Sequence, residues 1–154
     1  MASPRVVLPL TILTSALVLV SSLLGLFTEW PYAAETPAWR LQGRAQDVGN
    51  LAAVLVLLAG LAGLARGGTA SRALRGRLLW AGALLFLAYA YFISAIGLHF
   101  GPLLLVHTAV LGLSVHLVIA GLPWRDGALV AAGPRRVAGV LLAAIAVAFG
   151  ALWL

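Results

Sequence analysis

Six residues carry the side chains with which this chain could do chemistry. Gln46, Asp47 and Asn50 lie in one short segment, Tyr91 and Ser94 in a second, and His107 in a third. A helix turns by about 100° per residue, so Gln46, Asp47 and Asn50 would fall within an arc of about 100° on one helix. Tyr91 and Ser94 share a face of the next, and Tyr89 points the other way. A carboxylate, an imidazole and a phenol brought together can bind a cation, relay a proton, or hold the polar head of an apolar ligand. These six residues are the expected ligand-binding pocket. The competing structural reading pairs Asp47 with Arg44 or Arg40, which share a helical stripe with it, and gives His107 a hydrogen bond to an amide of the second helix. His116 lies nine residues beyond His107, about 180° around the helix, so the two cannot ligate one metal or haem iron from that helix alone. Ser114 and Gly121 follow His107 at sevenfold spacing and describe a packing seam.

The elements that must position these groups follow from composition. Of 154 residues, 63% are hydrophobic and only 9% charged, with a mean hydropathy of +1.09. A water-soluble domain is about a quarter charged. A chain this poor in charge cannot cover its own apolar surface in water, so the bilayer is the expected solvent. Five apolar runs approach the ~20 residues that a ~30 Å hydrocarbon layer requires: about 6–27, 48–65, 78–97, 103–122 and 137–154. With no water to satisfy backbone amides, such runs must be helices, and they lack the alternation of a β-barrel strand. The expected fold is all-α: a polytopic bundle of five transmembrane helices forming a single integral membrane domain over 1–154.

The arginines give that bundle a direction. Arg5 precedes the first run; Arg66, Arg72, Arg75 and Arg77 fill the second gap without an acidic residue; Arg125, Arg135 and Arg136 outweigh Asp126 in the fourth. Basic connections stay in the cytoplasm, which places the N-terminus inside and the C-terminus outside in a cell (inner, cytoplasmic) membrane. The first run is longer than a signal-peptide core and reads as a retained helix. In the first outer segment, Thr36-Pro37 reads as a helix cap followed by proline at the first helical position, so the second helix should begin outside the membrane. Trp30, Tyr32 and Trp39 suit an outer aromatic belt, Trp80 and Trp124 an inner one, and Trp153 the outer one again. Two glycines and a proline in "GLHFGP", Gly97 to Pro102, break the helix and place His99 in a wet turn.

Several activities drop out. The absence of cysteine removes thiolate nucleophiles and cysteine-ligated metals, and the absence of lysine removes imine chemistry. Despite a net charge of +6, the arginines form no basic face for nucleic acid. No HExxH, GxSxG or DDxxD-like pattern occurs, and neither a metal nor another cofactor is expected. Thr11, Ser15 and Ser22, with Thr14, Ser21 and Gly25 beside them, form one small polar face. Ala59 to Ala65 ("AGLAGLA") and Gly139, Ala143, Ala146 and Gly150 form others. Such faces let backbones approach within a bundle or between copies.

The pieces "GRAQD" (Gly43 to Asp47), "ARGG" (Ala65 to Gly68) and "YAYFISAIGLHFGPLLLVHTAVLGLS" (Tyr89 to Ser114) resemble small multi-spanning membrane proteins of GC-rich bacteria that are uncharacterised. The resemblance covers roughly the middle half of the chain and implies a membrane setting without an activity. It also implies that tyrosine can stand at the place of His107, which favours hydrogen bonding there over imidazole chemistry. The expected function is that of a non-enzymatic membrane protein. It would bind a small amphipathic ligand in a polar-aromatic pocket opening to the outer face, or act as an accessory subunit. Its expected partners are membrane lipids, further copies of itself or a larger membrane complex. The alternatives are a membrane-embedded enzyme on a lipid or isoprenoid substrate, with Asp47 as acid or base, and a small proton- or cation-coupled carrier.

Overall fold

In a computed structural model, which describes residues 4–66, 69–99 and 101–121, every regular element is helical. Helix α1 covers Pro4–Phe27, α2 Pro37–Ala65, α3 Ala70–Gly97 and α4 Leu104–Gly121, with a single 3-10 turn at Trp30–Tyr32 between α1 and α2. The described residues belong to one compact unit, and the fifth apolar run, 137–154, lies outside them, as do Trp124, Trp153 and the small-residue face from Gly139 to Gly150. All four helices are long and apolar enough to cross a membrane, which points to a membrane protein. The side chains agree: Leu55 is 71% exposed and Leu105 79%, and large apolar residues turn outward along every helix. In water such a surface would drive association; against acyl chains it costs nothing.

The helices run up and down. Each packs on the next, and α1 closes the ring onto α4. One end of the bundle carries the 28–36 connection and the 98–103 turn, here called the strap end. The other carries the short connection after Arg66, the arginine end. Helix α2 begins at Pro37, ahead of its apolar run, as the Thr36-Pro37 pair predicts: the Thr36 hydroxyl accepts from Trp39 N at 3.4 Å, and Pro37 takes the first turn. One boundary differs from the sequence expectation. Helix α3 begins at Ala70 and carries Arg72, Arg75 and Arg77 in its opening turns, because arginine is a good helix former and nothing there breaks the backbone. The GLHFGP turn forms as expected, with α3 ending at Gly97 and Leu98 turning to extended backbone.

Two kinds of contact hold the ring. The first is the backbone seam between α2 and α3. A Cβ on Gly60 would lie 2.5 Å from Trp80 N and 2.8 Å from Gly76 O, and one on Gly76 would lie 3.0 Å from Gly60 O. Gly63 faces Gly76 as well, at 3.2 Å to its Cα. The AGLAGLA face is thus spent inside the molecule, as small-residue faces allow. The second is the hydroxyl face of α1. Thr11, Thr14, Ser15, Ser21 and Ser22 are all buried, and Thr11, Thr14, Ser15 and Ser21 return a hydrogen bond to a carbonyl of the preceding turn.

Trp80 connects the two. It is 1% exposed rather than at a membrane interface, its ring lies against Gly121 of α4, and its Nε1 donates to Thr11 Oγ1 at 3.1 Å. A buried indole needs a partner for its N–H, and the α1 hydroxyl supplies one.

Gly76→Leu should therefore lower stability by about 1–3 kcal/mol, since the added atoms meet backbone that cannot move aside. Gly82→Ala, whose Cβ meets nothing within 4 Å, should be neutral or slightly stabilising. Thermal unfolding of both variants in detergent checks the pair; equal losses would break the seam argument.

Candidate functional site

The polar residues collect in the strap half of the bundle, and α1 organises them. The Ser21 hydroxyl shares a 2.7 Å hydrogen bond with the Tyr91 hydroxyl, across from α1 to α3. Tyr91, 2% exposed, also meets the His107 ring edge-on, with centroids 5.4 Å apart. One turn nearer the strap, Gly25 leaves room for Asp47 of α2: a Cβ on Gly25 would collide with Asp47 Oδ2. Ser22 stands beside both Asp47 and Tyr91, yet its fully buried hydroxyl completes a well-formed hydrogen bond with neither. Asp47 is 5% exposed.

The donor to Asp47 comes from an unexpected direction. Tyr32, expected in an aromatic belt, folds inward from the 3-10 turn, is 6% exposed, and donates its hydroxyl to Asp47 Oδ2 at 2.7 Å. Its ring lies between two glycines. A Cβ on Gly25 would lie 3.0 Å from Tyr32 Cε2, and one on Gly43 would lie 2.6 Å from Cε1. Burial, together with the neighbouring Asp47 charge and the hydrogen bond to it, pushes the Tyr32 phenol above the ordinary tyrosine range, so the donor keeps its proton.

Neither arginine pairs with Asp47, which corrects the structural reading drawn from the stripe. Arg44 reaches outward to Glu29, Nη2 to Oε1 at 2.7 Å. Its hydrogen bond and then its charge hold the exposed Glu29 carboxyl below the usual range. Arg40 donates from Nε to Glu35 O at 2.9 Å and from Nη2 to Ala33 O at 3.3 Å. Both guanidinium groups fasten residues 28–36 onto α2. Glu35, itself buried, fastens the same strap to the α3–α4 turn by accepting from His99 N at 2.7 Å, with His99 Nδ1 3.1 Å away. The His99 side chain is exposed, as a wet turn demands.

The six expected site residues therefore divide. Asp47 and Tyr91 meet around Ser22, and His107 joins through Tyr91. His107 is buried but makes no hydrogen bond to Asp47 or to Asn50, because its ring is aimed at Tyr91 across the bundle. Asn50, also buried, accepts instead from Gln46 Nε2 at 3.2 Å on its own helix. Gln46 and Ser94 line a separate cleft between α2 and α3, with Gln42, Gly43 and Trp39. Its volume of about 30 Å³ admits about one or two waters, far below the roughly 300 Å³ at which ligand pockets begin. His116, nine residues along α4, is exposed, and the His107, Ser114 and Gly121 seam faces inward, as their spacing requires.

Sequence reasoning passed over Tyr32 and Glu35 and read Ser21 and Ser22 only as packing. Chemically, the cluster offers one carboxylate with neutral donors around it, a hydroxyl with unused bonding capacity, and two phenols. That set suits recognition of a hydrogen-bonding head group or transfer of a proton between hydroxyls. Among the described residues no group of three or more histidine, aspartate or glutamate side chains could hold a metal ion. Comparison with family models, curated proteins and solved structures returns no match.

Tyr32→Phe should cost about 1–3 kcal/mol, because it leaves the Asp47 carboxylate buried without its donor. Arg44→Ala should cost no more than about 1 kcal/mol, as surface ion pairs do. The alkaline limb carries a second signature. A phenol whose folded pKa is raised binds its proton more tightly in the folded state, so its contribution is complete below the ordinary value of about 10 and fades as pH rises past it. Tyr32→Phe should flatten that decline in a stability-against-pH profile, and an unchanged slope would count against the buried donor.

Proposed function

We propose that the chain is a multi-pass protein of a bacterial inner membrane with five spans, 137–154 forming the fifth. Its N-terminus is cytoplasmic, and its outward-facing half binds a small amphipathic ligand. The arginines support the orientation: Arg66, Arg72 and Arg75 are exposed at one end of the bundle, where the positive-inside rule puts them in the cytoplasm and the strap outside.

The observation that carries ligand binding is the company Asp47 keeps. A carboxylate inside an apolar bundle is costly unless paired, and a chain built only for packing would turn a nearby guanidinium onto it. Arg44 lies one turn away on the same helix and is spent on Glu29 instead. Asp47 is left with a phenol, a neutral donor that a ligand's own could replace, beside a serine hydroxyl without a hydrogen-bond partner. A second reading, an accessory subunit whose buried polar groups serve only assembly, draws on the small volume of the cleft beside Gln46.

Native mass spectrometry of gently solubilised protein separates the two. The ligand-binding reading expects a stoichiometric co-purifying species, depleted in Asp47→Asn. That substitution keeps an oxygen for Tyr32 to bond and should alter stability by no more than about 1 kcal/mol. No bound species, together with a large stability loss in Asp47→Asn, would favour the accessory subunit. Reporter tags placed after Gly68 and after Gly101 should appear on opposite sides of the membrane, and finding both on one side would end the proposed threading.

A further inference from the structure

Tyr32 fills a slot whose shape is set by residues other than itself. Its two walls, Gly25 on α1 and Gly43 on α2, carry no side chain, and any Cβ on either would press on the ring or on Asp47. The far end of the slot holds a carboxylate oxygen aligned for a hydroxyl donor. Beside that oxygen stands Ser22, fully buried, its hydroxyl unpartnered and close to both Asp47 and Tyr91. The slot therefore offers more hydrogen bonding than Tyr32 uses. A head group with a second polar substituent would find a use for Ser22, and Tyr32, with one hydroxyl, does not.

The ring also arrives on a tether of its own. It belongs to the strap, 28–36, and not to any of the four helices. Apart from the Tyr32 hydroxyl, the strap is held by the exposed Glu29–Arg44 pair, by the Arg40 bonds to the Ala33 and Glu35 carbonyls, and by the buried Glu35 carboxylate, which accepts from His99 N. The exposed Glu29–Arg44 pair holds weakly. Lifting the strap removes the ring and leaves the slot open between α1 and α2, and the α2–α3 seam along Gly60, Gly63 and Gly76 does not involve it.

The geometry points to the Tyr32 slot as a ligand site for a flat phenolic head group, free or carried on an apolar tail, with Tyr32 as its resident substitute. This rests on the ligand-binding reading and names its chemistry. The incoming ring takes the place between Gly25 and Gly43, its hydroxyl donates to Asp47, and a second oxygen meets Ser22. A neutral phenol is favoured over an alcohol because the walls fit a plane, and over plain arene because a buried carboxylate without a donor is penalised.

The 154-residue chain contains no cysteine, which makes the test clean. Para-cresol, toluene and a para-octylphenol are titrated into the wild type and into Tyr32→Ala. They are also titrated into a Glu29→Cys/Arg44→Cys variant, before and after its strap is clamped to α2 with a short bismaleimide. Binding is read by thermal shift and by native mass spectrometry. The expected result is that Tyr32→Ala binds para-cresol at least about tenfold more tightly than the wild type does and binds toluene more weakly than para-cresol. Clamping the strap should weaken phenol binding by about tenfold relative to the unclamped variant. Tighter binding of the octyl compound than of para-cresol assigns a lipid-borne head group, and equal binding a free one. Should Tyr32→Ala fail to fold, the clamped and unclamped pair decides alone. Equal phenol binding before and after clamping, or equal binding of toluene and para-cresol, overturns the slot. A co-purified species that neither phenol displaces also overturns it while leaving ligand binding in place, and a wild type that carries no species and binds no probe removes both.

Discussion

A hydroxyl group enclosed by apolar side chains has no water to turn to, and that constraint arranges this bundle. Helix α1 presents five of them on one face. Most return a bond to their own backbone, a solution available only on a helix. The remaining capacity then fixes where large side chains of α3 can sit. Trp80 reaches Thr11 near one end and Tyr91 reaches Ser21 near the other, ten residues or about 15 Å along α1. Two polar contacts at that separation define both the rotation and the height of α3 relative to α1, which apolar packing alone leaves loose. In a lipid environment, where burial of apolar surface gives no preference between protein and acyl chain, such contacts and close backbone approach decide the arrangement.

The same constraint explains the strap. Once Asp47 is carried into the bundle on α2, something must donate to it. Tyr32 does so from a connection that could otherwise lie flat on the surface. The inward turn of one side chain then requires that the rest of the connection be tied down, and Arg40, Arg44 and Glu35 each make one of those ties. The most polar stretch of the chain is thus organised around two buried acceptors, Asp47 and Glu35. Gly25 and Gly43 are the geometric counterpart, since each gives up a side chain where the ring passes.

What the sequence disclosed and what it concealed follow from the range of each interaction. The Thr36-Pro37 start of α2 and the Gly97 end of α3 depend on neighbours a few residues apart, and local spacing revealed both. The hydroxyl face of α1 and the His107, Ser114 and Gly121 seam are periodic, so helical geometry exposed them. Tyr32 with Asp47, Trp80 with Thr11 and Glu35 with His99 join residues 15, 69 and 64 positions apart, and no period encodes such pairs. Aromatic residues near the ends of apolar runs look alike whether they float at an interface or turn inward. Trp80 and Tyr32 turn inward because a hydroxyl and a carboxylate wait for their polar tips. The six expected site residues divide because the same helix faces offer them nearer partners than one another. Asn50 and Gln46 satisfy each other on α2, and Ser94 bonds the carbonyl of Ala90, so neither arrangement needs Asp47.

Helix α2 has 29 residues and a length of about 44 Å, against a hydrocarbon layer of about 30 Å. Such a mismatch is relieved by tilt, by local thickening of the lipid, or by overhang. Asp47 lies ten residues from the capped end, about 15 Å along the axis, close to the depth at which the overhang would end. Were α2 to cross a bilayer with its overhang at the capped end, the thickness of that layer would set the dielectric around this carboxylate. Short acyl chains would leave it near the glycerol layer and long ones would draw it into oil, so the lipid itself would tune the strength with which the Tyr32 phenol is held there.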